Sequence, residues 1–395
     1  MKVAICNVQE FNPKIGGIER VSVSLAEQLI KLNVDVIFIS CRRSQYKIEY
    51  TLPAPQFSLP ESDDYSEANK QAFCKILKSE HCDIFINQNA HSRKYNRLCN
   101  EVREQTQIKL ISVFHFCPDM RIRANRNIID RRFFSLMENI VNMVRTICTY
   151  WPLRPFTMYS QYRLYKEMYE GSDRVVLLSE QFFDGFCKIG RLADRRKLVA
   201  INNMLSFDKV VTPTNKQKQI LFCGRMTSEK KPYRVLYAWQ QIQVHLSDWE
   251  LLLVGDGPWL DRLKQLSLKL KLKRVQFCGF QDPMPFYQKA SILWMTSNFE
   301  GWGLVLTEAM QFGCVPIAFN SFGSISDIID NNQSGCLVPP FNIRQFVYKT
   351  LALIQSGKLP DYAYAASRSV RRFAPDYIGV QWRSLFEQVL SGDII

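Results

Sequence analysis

Two glutamates, Glu300 and Glu308, stand with seven residues between them in the stretch "SNFEGWGLVLTEAMQFG" at 297–313, across a Gly-Trp-Gly turn that enters an apolar helical run. Upstream, "CGRMTSEKKP" sets Arg225 and Lys230 five positions apart, directly after the apolar run "ILFCG". Two fixed cations at that spacing could flank a diphosphate. Glu308, about one turn inside its helix, could accept two neighbouring hydroxyls of a ribose. Glu300, at a strand end, would lie nearer the point where phosphates and a reacting sugar carbon meet. Gly301 and Gly303, on either side of Trp302, free the turn, and the unpaired N–H groups that open the helix at Leu304 can receive phosphate oxygens. Two further loops belong to the same set: "VGDGP", where Gly255 and Gly257 let backbone approach a ligand closely, and "CGFQD", which offers backbone groups around Phe280. Taken singly, Glu308 could be a solvated helix residue and Glu300 a favourable charge beside a helix dipole. The coincidence of two cations and two carboxylates in register along one sheet edge favours chemistry.

Such loops must hang on strands. "KVAICNV", the helical run "VSVSLAEQLIKLN" with Val21, Leu25, Leu29 and Leu32 at helical spacing, and "VDVIFIS" make one βαβ unit, and strands are predicted at 83–87, 109–115, 174–179 and 197–202. The polar run "DKVVTPTNKQKQ" at 208–219 predicts a linker. The alternation then restarts with "ILFCG", helices at 233–246 and 258–272, "ELLLVG", "RVQFCGF", a short helix near 283–290, "ILWMTS", the glutamate-bearing helix and "VPIAF". The fold class is therefore α/β with two Rossmann-like parallel-sheet domains, 1–207 and 208–375, followed by an amphipathic helix at 376–395 that packs back near the interdomain region. Ligands of open parallel sheets bind beyond the carboxyl ends of the strands, where the charged loops fall.

Composition limits the partners. At 395 residues, 47% hydrophobic and 22% charged, the chain has the make-up of a globular protein with two cores, and its net charge of +14 favours anionic partners. Nucleic acid is disfavoured, because no recognition-module motif is present. The 12 cysteines are scattered singly, with no C-x-x-C and no short spacing to histidine, which argues against zinc and against a disulfide framework and fits a reducing cytosol. No apolar stretch of about 18 residues could span a bilayer, and the N-terminus predicts a first strand rather than a signal peptide.

The succession "IGGIER", "CGRMTSEKKP", "LLLVGDGP", "FCGF" and "FEGWGLVLTEAMQFGCVPIAF" resembles the retaining glycosyltransferases of family GT4, which have the GT-B fold of two Rossmann-like domains facing a central cleft. The resemblance spans the chain except about 120–170. It implies a sugar nucleotide held mainly by the C-terminal domain, an acceptor held mainly by the N-terminal one, and transfer with retention at the anomeric carbon without an obligatory metal or other cofactor. By the same resemblance Arg225 and Lys230 would neutralise the leaving diphosphate, Glu308 would hold the ribose, Glu300 would contact the donor sugar, and Gly16 and Gly17 would form the glycine loop near the phosphates. The absence of a D-x-D pair after any strand agrees, since the two cations could then do a metal's electrostatic work. Trp302 stands where a smaller aromatic is usual, and Asp327 where the family more often has glutamate.

His115 ends "KLISVFH", which puts it at a strand's carboxyl end facing the cleft, on the acceptor side or as a hydrogen-bonded histidine closing the strand. The segment 121–166 holds nine Arg or Lys against two acidic residues, interleaved with aromatics. Its arginines, Arg121, Arg123, Arg126, Arg131 and Arg132 among them, suit an anionic membrane surface beside a lipid-linked saccharide acceptor, or a solvated basic helix face. The resulting expectation is a cytosolic hexosyl- or N-acetylhexosaminyltransferase of cell-surface polysaccharide biosynthesis, peripheral on the inner face of the cytoplasmic membrane, with a UDP-linked donor preferred on family frequency. A GDP-mannose-dependent mannosyltransferase, a nucleotide-sugar epimerase and a glycan-binding protein remain the alternatives.

Overall fold

A computed structural model of the chain describes residues 1–14, 16–42, 50–120, 136–145, 148, 151–207, 210–212 and 214–392. The chain divides into two compact units, one of Met1–Asp119, Pro155–Ser206 and Phe373–Ile395, the other of Met120–Arg154 and Phe207–Arg372.

The first unit is built on seven strands: β1 (Lys2–Gln9), β2 (Asp35–Arg42), β3 (Gln56–Ser58), β4 (Ile84–Asn87), β5 (Lys109–Phe114), β6 (Arg174–Leu177) and β7 (Leu198–Ala200). They lie in the order β3-β2-β1-β4-β5-β6-β7, every pair parallel. The strands read as unbroken apolar runs because helices cover both faces: β1 buries Val3 through Val8 without a break. On one face the helix Gly17–Lys31 turns Val23, Leu25, Ala26 and Leu29 inward. Beside it lies the last helix, Pro375–Ser391, whose Ile378, Trp382, Leu385, Phe386 and Val389 join the same core. The two helices touch closely at Gly379, where a Cβ would come within 2.5 Å of Gln28 Cγ, and Gln28 Nε2 donates to Asp376 Oδ1 at 3.1 Å. The C-terminal helix thus completes the core of the first unit.

The second unit is a six-stranded parallel sheet of β8 (Gln217–Cys223), β9 (Glu250–Val254), β10 (Val275–Gly279), β11 (Ala290–Met295), β12 (Val315–Phe319) and β13 (Cys336–Val338), in the order β10-β9-β8-β11-β12-β13. Its core joins Ile220, Phe222, Leu251, Leu253, Ile292, Trp294 and Ile317 to the helix Tyr233–Ile242 and its neighbours. The strands predicted from apolar runs are all present. The run 208–219 differs from its expectation, because Gln217, Lys218 and Gln219 belong to β8, paired through Gln219 to Glu250 and through Gln217 to Ala290. The edge strands β3 and β13, of three residues each, are too short to carry a period in the sequence.

Trp382 buries an indole between the last helix and the sheet, so Trp382→Ala should destabilise the first unit by roughly 3–5 kcal/mol. Chemical denaturation followed by circular dichroism checks this; a change under about 1 kcal/mol would mean that the helix is not part of that core.

Candidate functional site

The order of the second sheet reverses between β8 and β11. At such a point the connections leave on opposite faces and open a crevice at the carboxyl ends of the two strands. Arg225 and Lys230 follow β8, and Glu300 follows β11. The two loops are stitched together: Asn298 N donates to Glu229 O at 2.9 Å, and Thr296 Oγ1 to the carbonyls of Lys230 and Lys231 at 3.3 and 3.1 Å. Arg234 anchors the β11 end, donating to Asn298 Oδ1 at 2.7 Å and to Thr296 O at 3.2 Å. This stitching brings Lys230 Nζ to 2.6 and 2.7 Å from the two carboxylate oxygens of Glu300, with the side chains 25% and 12% exposed.

Arg225 is exposed and stands beside Glu229. Burial pushes the Glu229 carboxyl up, but hydrogen bonds to Thr227, its own backbone and Ser228, with the charge of Arg225, outweigh this and hold it below the ordinary carboxylate range. The glycines of "VGDGP" serve backbone packing: Gly255 (φ 130°) and Gly257 (φ 151°) lie where a Cβ would meet Gly224 O at 2.1 Å and Met226 N at 2.9 Å. Met226 N donates to Asp256 O at 2.8 Å and Gly255 N to Gly279 O at 2.8 Å, so the loops after β8, β9 and β10 are laid against one another. Phe280 is 79% exposed just beyond β10.

Gly303, at φ 94°, turns the chain from Trp302 into the helix Leu304–Gln311, and Ser324 Oγ donates to Gly301 O at 2.9 Å. Trp302 is buried and Leu304 half-buried. Glu308 is only 2% exposed, and its Oε2 accepts from Tyr287 Oη at 3.0 Å. The Tyr287 phenol, pushed well up by burial and then by Glu308, also lies 3.3 Å from Cys223 Sγ. The solvated reading of Glu308 therefore does not hold; the carboxylate is a buried, oriented acceptor. Tyr287, Arg234 and Asn298 had no spacing signal, since their partners lie 21, 62 and 64 residues away in the chain.

The first unit has its own reversal, between β1 and β4. Gly16 caps the helix that Gly17 begins, with the movable carboxylate end of Glu19 lying where a Cβ would stand. Uncharged side chains crowd the strand ends: Asn7, Asn87, Gln88 and Asn89 are buried, and His115 Nε2 lies 2.7 Å from Gln88 Oε1. His115 and Gln88 border a small cavity lined also by Asn202, Asn203 and Trp382. Ser179 caps a short helical turn, accepting from Gln181 N at 3.1 Å. Arg121, Arg123, Arg126, Arg131 and Arg132 lie outside the described residues. Among the described residues no group of three His, Cys, Asp or Glu could hold a metal ion, and no helix is long and apolar enough to cross a membrane.

Two Rossmann-like parallel-sheet units are the architecture of the GT-B fold. Residues 15–209 match the model described as Glycosyltransferase Family 4 and residues 206–370 the one described as Glycosyl transferases group 1; the chain belongs to these glycosyltransferases. It is 26% identical over 367 residues to an uncharacterised glycosyltransferase of Haemophilus influenzae, covering 92% of each chain. It is 21% identical over 373 residues, 92% of this chain and 94% of the other, to the N-acetylgalactosamine-N,N'-diacetylbacillosaminyl-diphospho-undecaprenol 4-alpha-N-acetylgalactosaminyltransferase of Campylobacter jejuni. Among solved structures it resembles Anabaena Alr3699/HepE in complex with UDP, with a TM-score of 0.73 at 16% identity over 98% of this chain and 100% of that one.

Burial holds the His115 imidazole neutral down to about pH 3, with His91 adding to the effect. An imidazole in the unfolded chain gains its proton near pH 6.5, so below that value the unfolded state binds a proton that the folded state refuses, and stability falls with pH. Between pH 7 and pH 5 this amounts to about 2 kcal/mol. Thermal melts should therefore show His115→Gln losing less stability than wild type over that interval; parallel curves would show that His115 takes up its proton as readily in the fold as in the unfolded chain.

Proposed function

We propose that the protein is a retaining glycosyltransferase that moves a hexosyl or N-acetylhexosaminyl unit from a UDP-sugar to a lipid-linked saccharide, without a metal. The observation that carries the reading is the placement of Arg225, Lys230, Glu300 and Glu308 around the β8/β11 reversal, beside the N-terminus of the helix Leu304–Gln311. Arg225 and Lys230 take the diphosphate and neutralise the charge that grows on it as the glycosidic bond breaks. The N–H groups at Gly303 and Leu304 add a dipole of the same sign. Glu308, oriented by Tyr287, accepts the ribose hydroxyls, and Glu300 contacts the donor sugar. The loops at Gly255, Gly257 and Phe280 shape the nucleotide side, and Gly16 and Gly17 serve as the glycine loop near the phosphates. A UDP donor is supported by the UDP-bound structural relative and a lipid-linked acceptor by the undecaprenol-linked substrate in the name of the Campylobacter enzyme.

His115 and the amides around it supply acceptor contacts. Sugar hydroxyls are neutral donors and acceptors, which uncharged Asn, Gln and imidazole groups match without a desolvated charge. The membrane is the partner of the region 121–166. On the helix Leu136–Arg145 the residues Met137, Ile140, Val141 and Val144 share one face and all are exposed, and Phe156 and Tyr159 are exposed on the helix Trp151–Gly171. Apolar side chains on show within a segment of nine basic and two acidic residues fit the interface of an anionic bilayer on the inner face of the cytoplasmic membrane.

Replacing Arg225 or Lys230 by Ala should cost roughly 2.7–4 kcal/mol of transition-state stabilisation, the scale of one preorganised charge-stabilising donor. Steady-state transfer assays measure it, run with and without EDTA; retained activity in either variant, or a strict need for Mg²⁺ or Mn²⁺ in wild type, argues against the clamp. For the membrane contact, each basic residue near an anionic surface contributes on the order of 1 kcal/mol, so binding should be reversed by salt. Changing Arg121, Arg123, Arg126, Arg131 and Arg132 to Gln should abolish sedimentation with anionic liposomes at low salt. Equal binding of wild type to neutral liposomes would count against the electrostatic role.

A further inference from the structure

We infer that Glu300 is a built-in counter-ion of Lys230 which the donor's diphosphate must displace, and that this exchange makes Glu300 a determinant of selectivity for nucleotides that carry a diphosphate. The inference rests on the proposed role of Lys230 in the clamp. Lys230 has three ammonium protons, and the carboxylate of Glu300 engages the group through both oxygens, at 2.6 and 2.7 Å. The pair is largely removed from solvent, with Glu300 12% and Lys230 25% exposed, so water screens it less than it would a surface pair. It is also fixed by the fold: the residues are 70 apart in the chain, and the Asn298–Glu229 and Thr296–Lys230 hydrogen bonds hold their backbones together.

A diphosphate that reaches Lys230 therefore meets an ammonium already neutralised and a carboxylate of its own sign. The carboxylate repels it, so to reach the ammonium the oxyanions replace the carboxylate and Glu300 is turned out. Only then is its side chain available to the donor sugar. A nucleoside without phosphates has no charge with which to drive the exchange and leaves the pair closed. The same carboxylate thus opposes binding of the diphosphate and becomes available to the sugar once that diphosphate is seated. Arg225, exposed and outside this pair, offers the incoming phosphates their first contact.

Isothermal titration of wild type, Glu300→Gln, Glu300→Asp, Lys230→Ala and the Lys230→Ala/Glu300→Gln double variant tests this, using UDP and GDP, each against its own nucleoside. Glu300→Gln keeps the size of the side chain and removes its charge; it should bind the nucleoside diphosphate about tenfold more tightly than wild type while nucleoside affinity stays the same. The gain should vanish in the Lys230→Ala background, and Glu300→Asp, which keeps the charge, should not show it. Unchanged or weaker diphosphate binding by Glu300→Gln with an intact thermal transition, or an equal gain for the nucleoside, overturns the exchange while leaving the clamp standing. Lys230→Ala binding as tightly as wild type, or wild type binding neither diphosphate, overturns the clamp and the exchange with it.

Discussion

The site depends on the hydrogen bonds that join the loop after β8 to the loop after β11. These strands are neighbours in the sheet but belong to opposite halves of its winding, so their loops diverge and leave the strand ends open. Without the contacts from Asn298 to Glu229 and from Thr296 to Lys230 and Lys231, that opening would hold two independent loops. With them, a lysine and a glutamate far apart in sequence become one ion pair. Arg234 secures the arrangement from beneath, its guanidinium bonded to the end of β11 and lying 4.4 Å from the centre of the Phe341 ring.

Around the pair, much of the apparatus works by close approach of backbone. Gly255 and Gly257 sit against the Arg225 loop at distances that no side chain would permit, which keeps the cations at a defined height above the sheet. Gly303 serves differently, its left-handed backbone at φ 94° turning the chain into the helix that carries Glu308. A buried carboxylate is costly unless it is hydrogen-bonded, and Tyr287 meets that requirement while orienting it. The residues around the pair are thus charged and held in place by backbone contacts and by the Tyr287 hydrogen bond.

The first unit repeats the architecture with different chemistry. Its strand ends carry amides and a neutral imidazole where the second unit carries fixed charges. Two sheets wound in the same order from their reversal points therefore differ in what stands at the strand ends.

Much of this was legible in the sequence. Parallel strands buried on both faces must be apolar throughout and helices between them must be periodic, so the alternation, the two-sheet architecture and the strand-end loops with Arg225, Lys230, Glu300 and Glu308 follow from local pattern. Tertiary structure alone decided the rest. The strands β3 and β13, three residues each, exist only because a neighbouring strand offers an edge to pair with. The burial of Glu308 and its partner Tyr287, the pairing of Lys230 with Glu300, and the bond from Gln28 to Asp376 within the first unit join residues between 21 and 348 positions apart. Periodicity records which face of an element is buried and carries no information about which element will cover it; that choice is made when the sheets assemble, and the ion pair at the centre of the site is a product of it.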